Sequence, residues 1–260
     1  KNGMSFLVYS RKSKENAEMV AHKLAQKAWS ERERYKTNMI PLSAATKLAK
    51  EVGDNPDPEP LLFADPADNP GGGGRGNTTF ILKEFLKAGV KNCVFSVFFD
   101  LHAVETAFES GVGSKIKITL NDNEKNQFSE ALSIEATVLS LHNGKFRGHY
   151  GMVAGTTADT GRTAVLEIDG IQLICISKRQ QCRSSDFLSA FGIDPINCRT
   201  IVVKSRGHFR AGFKHIFNPN QILEIDVPGL TSPNLSCFDW EYLPRPVYPL
   251  DSDTIWAIQN

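Results

Sequence analysis

Residues 92–100, NCVFSVFFD, constrain this chain more than any other stretch. A half-exposed strand alternates apolar and polar residues. A run that is apolar on both faces has to lie inside a sheet with cover on both sides, as central strands of parallel sheets do. Its neighbours in sequence fit that setting. LLFAD (61–65) reads as a buried strand. TTFILKEFLKAG (78–89) reads as a helix stopped by Gly89 in the C′ position, and LHAVETAFESG (101–111) as a helix closed by Gly111. Together these segments make a β-loop-α-β-α unit.

The flanking segments extend the pattern. MSFLVYS (4–10) reads as a short strand. A helix is expected over 13–36, with Ala17, Val20, Ala21, Leu24, Ala25, Ala28 and Trp29 at helical spacing and Ser13 as N-cap. PLSAATKLAKEV (41–52) reads as a second helix with Pro41 near its start, and GDNPDPEP (53–60) as a linker or surface loop. Beyond residue 112 the strands alternate: SKIKITL (114–120) and SIEATVLSL (133–141) are half-exposed, and RTAVLEIDGIQLICIS (162–177) is a hairpin turning at Asp169-Gly170. SSDFLSAFG (184–192) is a short helix. TIVVKS (200–205) and QILEIDV (221–227) are further strands, and LPRPVYPLD (243–251) is extended. The expected fold class is α/β, with a mixed sheet: a parallel β-α-β first part, an antiparallel second part and helices on its faces. Residues 1–58 are expected to form a strand plus helical segment, and 59–260 the main domain. A strand beginning at residue 4 without a lead-in suggests the later part of a longer protein.

Composition excludes some partners. With 30 Lys+Arg against 29 Asp+Glu, the net charge is +1. Such a balance gives no electrostatic reason to expect nucleic acid or an anionic membrane. No apolar run approaches a bilayer span of roughly 20 residues. The five cysteines are widely spaced, without a CxxC pair, so a zinc knuckle is not expected. Their odd number favours a reducing, cytoplasmic setting.

The segment 64–86, ADPADNPGGGGRGNTTFILKEFL, carries the chemistry. Residues 71–78 come close to a phosphate-binding loop, G-x-x-x-x-G-K-[ST]. Asn77 stands where the lysine would reach the phosphates, and Arg75 lies two residues early. An anion- or nucleotide-binding module using loop 71–76 therefore stays open, because a helix N-terminus favours negative charge. Gly71, Gly72, Gly73 and Gly74 in succession suggest that something approaches the backbone closely. Asp65, Asp68 and Asn69 stand just upstream, at the carboxyl end of a strand, where open α/β sheets place their sites. Asp100 ends the next strand and His102 follows it. If those two strands are neighbours, the three aspartates converge on one edge. A second cluster, VVKSRGHFRAGF (202–213), offers Lys204, Ser205, His208 and Arg210 for binding a carboxylate or polarising a carbonyl. DVPGLTSP (226–233) reads as a turn with an architectural role.

LFADPADNPGGGGRGNTTFIL resembles the MlrC family, metallopeptidase-like proteins named for an enzyme that hydrolyses linear fragments of microcystin. FDLHAVETAFESGVGSKIKITL (99–120), GRTAVLEIDGIQLICISKRQQ (161–181), FGIDPINCRTIVVKSRGHFRAGF (191–213), ILEIDVPGLTSPNL (222–235) and RPVYPLD (245–251) are similar to the family in order, as is KAWSERERY (27–35). Two positions depart: the family has Asp where Asn77 stands and Pro where Leu101 stands. The resemblance implies the C-terminal portion of a zinc-dependent amidohydrolase or peptidase. Its zinc ligands would lie in a preceding N-terminal metal-binding domain, and its substrate would be a peptide or small amide. Loops here would face substrate through Asp65, Asp68, Asn69, Gly71, Gly72, Gly73, Gly74, Asp100, His102, Ser205, His208 and Arg210. The isolated chain is expected to be inactive. The sequence itself agrees in containing no H-E-x-x-H and no His pair at i,i+4. A scaffold subunit of a larger assembly and a homo-oligomer are the other expectations.

Overall fold

A computed structural model describes residues 3–122, 128 and 130–257. The chain forms two compact units, residues 1–38 with 238–260, and residues 39–237.

In the first unit, α1 (Lys14–Ser30) starts where the Ser13 side chain accepts from the amide of Asn16. The helix buries none of its residues; it stops at Ser30, short of the expected 13–36, and a 3₁₀ turn, Arg32–Tyr35, follows. The guanidinium of Arg32 lies 4.6 Å from the Trp29 ring centre and 5.4 Å from that of Tyr248, whose hydroxyl donates to Glu33 at 3.0 Å. The strand expected over 4–10 is absent. Those residues are irregular, and Met4, Leu7 and Tyr9 are largely exposed. A β-like pattern of seven residues makes a strand only when a neighbouring strand takes up its amides and carbonyls.

The second unit holds a nine-stranded sheet. Its elements in chain order are β1 (Ile40–Pro41), α2 (Leu42–Asp54), β2 (Leu61–Ala64), α3 (Phe80–Ala88), β3 (Cys93–Phe99), α4 (Leu101–Ser110), β4 (Lys115–Leu120), β5 (Leu132–His142), β6 (Lys145–Arg147), β7 (Thr157–Asp159), β8 (Thr163–Ile168), β9 (Ile171–Ile176), α5 (Asp186–Ser189), β10 (Thr200–Val203), α6 (Arg210–Phe213) and β11 (Ile222–Asp226). The strand order is β1-β11-β2-β10-β3-β9-β8-β5-β4, with β6 and β7 paired apart. Pairing is parallel from β1 to β9 and antiparallel through β9, β8, β5 and β4. The mixed α/β sheet expected from the pattern is the one observed. The hairpin turns where Asp169 and Gly170 both take positive φ, 49° and 91°.

Both faces of the central strands are covered. Phe63, Cys93 and Phe95 point to one face, packed with Ala45 and Ala49 of α2, Leu82 and Phe85 of α3, and Val104 and Ala107 of α4. Leu62, Ala64, Val94 and Val97 point to the other, against Phe187 and Leu188 of α5 and Phe209 and Phe213. Phe85 sits edge-on to both Phe63 and Phe95, with ring centres 6.0 and 5.9 Å apart. Each fully buried large apolar side chain contributes about 1.5–3 kcal/mol, so these three layers fix the strand order that positions the loops. One expectation fails in detail. The strands 61–65 and 92–100 are not neighbours, because β10 lies between β2 and β3, paired in parallel with each. Their carboxyl ends still share one edge of the sheet.

Candidate functional site

At that edge the loops after β2, β9 and β10 meet. Asp65 and Asp68 turn inward and are buried, with Lys204 buried between them. The Lys204 ammonium lies 2.9 Å from Asp65 Oδ2 and 3.0 Å from Asp68 Oδ2, and it donates to the carbonyl and hydroxyl of Thr78 at 2.8 Å each. Asp68 accepts the amides of Gly76 and Thr78, both at 2.7 Å. Burial pushes the Asp68 carboxyl up, but Lys204 and these two amides outweigh it and hold its pKa below the ordinary value. At Asp65 burial wins, and its pKa is raised despite Lys204. Burial alone would lower the Lys204 pKa, but the two carboxylates raise it. This cluster fastens β2, the glycine loop and β10 together. Lys204, read as a candidate carboxylate binder, binds carboxylates of its own chain.

The glycine loop is equally self-contained. The amide of Gly71 donates to Asn69 Oδ1, those of Gly72 and Gly74 to the carbonyl of Asn69, and that of Gly73 to the carbonyl of Pro70. These N–H groups all find acceptors inside the loop. Two of the four glycines stand where a Cβ would be crowded, and Gly73 takes a positive φ of 99°. A Cβ at Gly74 would stand 2.7 Å from the backbone nitrogen of Asn69, and one at Gly71 would stand 2.7 Å from Gln181 Oε1. The DVPGLTSP turn packs here too, as its architectural reading required: Thr231 Oγ1 donates to the Pro66 carbonyl and accepts the Asn69 amide.

What the edge presents outward is a short polar relay. Gln181 Nε2 donates to Asn69 Oδ1 at 2.6 Å and to Ser205 Oγ at 2.9 Å. Gln181 Oε1 lies 2.9 Å from Nδ1 of His208, an exposed residue. Ser205 and Gln181 are buried, so the relay runs from the interior to the surface. Sequence reasoning missed Gln181: it follows β9 in a polar run, and no spacing ties it to Asn69, 112 positions away.

The remaining expected residues go elsewhere. Asp100 caps α4 by accepting the amide of Ala103, and it also accepts the amide of Asn121. With His102 it lines a separate cleft of about 380 Å³, shared with Asn77, Phe99, Glu105 and Asn121. It therefore does not join Asp65 and Asp68. Arg210 is paired with Glu224 at 2.9 Å. A second histidine cluster also went unnoticed in the sequence. Asp186, at the start of α5, accepts the amides of His149 and Tyr150 and the hydroxyl of Ser184, and lies 3.0 Å from His149 Nδ1.

Among the described residues, no three or more His, Cys, Asp or Glu side chains come together to hold a metal ion. Nor is any described helix long and apolar enough to cross a membrane.

Known proteins are similar to this chain. Microcystinase C of Sphingomonas sp is 27% identical over 154 residues, covering 59% of this chain and 30% of its own length. A metallopeptidase candidate from Mesorhizobium sp. BNC1, solved by crystallography, superimposes with a TM-score of 0.75 at 25% identity, over 93% of this chain and 47% of its own. This chain thus spans less than half the length of either relative. Residues 63–242 match the family model described as the MlrC C-terminus, and the chain belongs to that family.

Proposed function

We propose that this chain is the substrate-facing C-terminal portion of a metal-dependent amide hydrolase or peptidase, with the zinc ion held by a separate domain. Support comes from kinship to microcystinase C and to the Mesorhizobium metallopeptidase candidate. The observation that carries the reading is the polar relay Asn69–Gln181–His208, set at the carboxyl ends of parallel strands. Among the described residues no cluster of His, Cys, Asp or Glu could hold a metal ion, so no step of the chemistry is routed through these side chains to a metal. Its contribution is to bind and orient: His208 contacts the substrate, and the internal bonding of loop 71–74 keeps that edge rigid. The substrate class is a peptide or small amide. The buried thiols of Cys93, Cys175, Cys182 and Cys198 are unpaired, in keeping with a cytoplasmic setting.

Zinc analysis and an amide-hydrolysis assay on the isolated 260-residue chain test this division of labour. The expected result is neither stoichiometric zinc nor turnover. Stoichiometric zinc together with turnover would overturn it.

A further inference from the structure

The relay beneath His208 has a direction, and the direction can be traced from one group whose role is fixed. The Gly71 amide can only donate, and it donates to Asn69 at 2.9 Å. The acceptor there is therefore the Asn69 carbonyl oxygen. The Gln181 atom 2.6 Å from that oxygen must be a donor, which makes it the –NH₂ group. Its second N–H goes to Ser205 Oγ at 2.9 Å. The remaining Gln181 atom, 2.9 Å from His208 Nδ1, is then the carbonyl oxygen, which can only accept. His208 must carry its proton on Nδ1.

We propose that Gln181 is a positioning residue that locks neutral His208 in the Nδ1–H tautomer, so that Nε2 offers a lone pair at the exposed edge of the sheet. This rests on the substrate-facing role given to His208 above and narrows it. Neutral His208 is a hydrogen-bond acceptor there, suited to an amide or amine N–H of a peptide-like substrate. It is not a donor to a substrate carbonyl or carboxylate. Nε2 has no hydrogen-bond partner among the described residues, and His208 is an exposed residue. Gln181 is 7% exposed and its amide is fully used, with two hydrogens donated and one oxygen accepting; turned over, it would set its oxygen against the Asn69 carbonyl oxygen and lose the 2.6 Å bond there. The glycine at position 71 belongs to the same device. It supplies the fixed donor, and a Cβ there would strike Gln181 Oε1 at 2.7 Å.

Long-range ¹H–¹⁵N correlation spectra of the isolated chain, recorded at a pH where the imidazole is neutral, read the tautomer directly. A His208→Gln variant assigns the signal. Wild type is expected to show the Nδ1–H form. Gln181→Met, which removes the acceptor, is expected to shift His208 towards the Nε2–H form that free imidazole prefers. Gln181→Glu, which keeps an acceptor oxygen, is expected to retain Nδ1–H. An Nε2–H tautomer in wild type overturns the proposal, as does an unchanged tautomer in a folded Gln181→Met protein. Neither result needs substrate or metal, so either would leave the hydrolase reading standing. That reading fails separately if the tautomer is as expected but removing His208 leaves hydrolysis by the chain joined to its metal-binding domain unchanged.

Discussion

Lys204 is the residue on which the edge of the sheet depends. One ammonium holds two buried carboxylates, so removing it strands charge in the interior. Lys204→Met is expected to cost about 3–5 kcal/mol in urea unfolding. Adding Asp65→Asn and Asp68→Asn to that variant should recover part of the loss, because the stranded charges are then gone. Asp186 gives a pH-dependent test. Burial works against its charged form, but the His149 amide, the Ser184 hydroxyl, the His149 ring and the Tyr150 amide together hold its pKa below the ordinary carboxylate value. The stability it contributes is therefore present above the unfolded pKa of about 3.9 and is lost as pH falls through the lower folded value. Asp186→Asn should cost about 1–3 kcal/mol at pH 7, and the gap to wild type should close on acidification. At this scale the sequence was only partly informative. It marked Asp65, Asp68, Lys204, Ser205 and His208 as chemistry-bearing. It could not tell that the first three neutralise one another, because that depends on burial and on partners more than 120 positions apart. Gln181 carried no signal, since a glutamine becomes a relay only through what the fold sets beside it.

The elements were more legible, because their causes are local. Gly89 stops α3 in the left-handed conformation at φ 69°, as a C′ glycine does. Asp169-Gly170 forms the turn its dipeptide demands. The segment at 4–10 misled, because a short run of β-prone residues says nothing of whether a neighbouring strand exists to pair with. The loop of glycines lay between these cases. Its sequence showed that backbone must come close to something. In the structure the close neighbours are the loop's own Asn69, beside Gly74, and Gln181, beside Gly71. Gly74→Ala should therefore destabilise the chain by about 1–3 kcal/mol through overpacking, measured by thermal unfolding. The same change at Gly73, where a Cβ would meet nothing within 4 Å but φ is 99°, isolates the cost of backbone strain alone.

Across the whole molecule, the α/β class and the change from parallel to antiparallel pairing were legible in the pattern of apolar runs. The insertion of β10 between β2 and β3 was not, because strand order is set by pairing between distant segments. That insertion has functional weight. It brings Ser205 and His208, which follow β10, alongside the glycine loop, which follows β2, and so assembles the relay. The central claim is that this relay faces substrate while the metal is held elsewhere. The direct measurement is kcat/KM for amide hydrolysis by the chain joined to a metal-binding domain of the family, comparing wild type with His208→Ala. Loss of one substrate hydrogen bond predicts a fall of about tenfold, with zinc content and Tm unchanged. An unaltered kcat/KM in a folded, zinc-loaded His208→Ala protein would contradict the account.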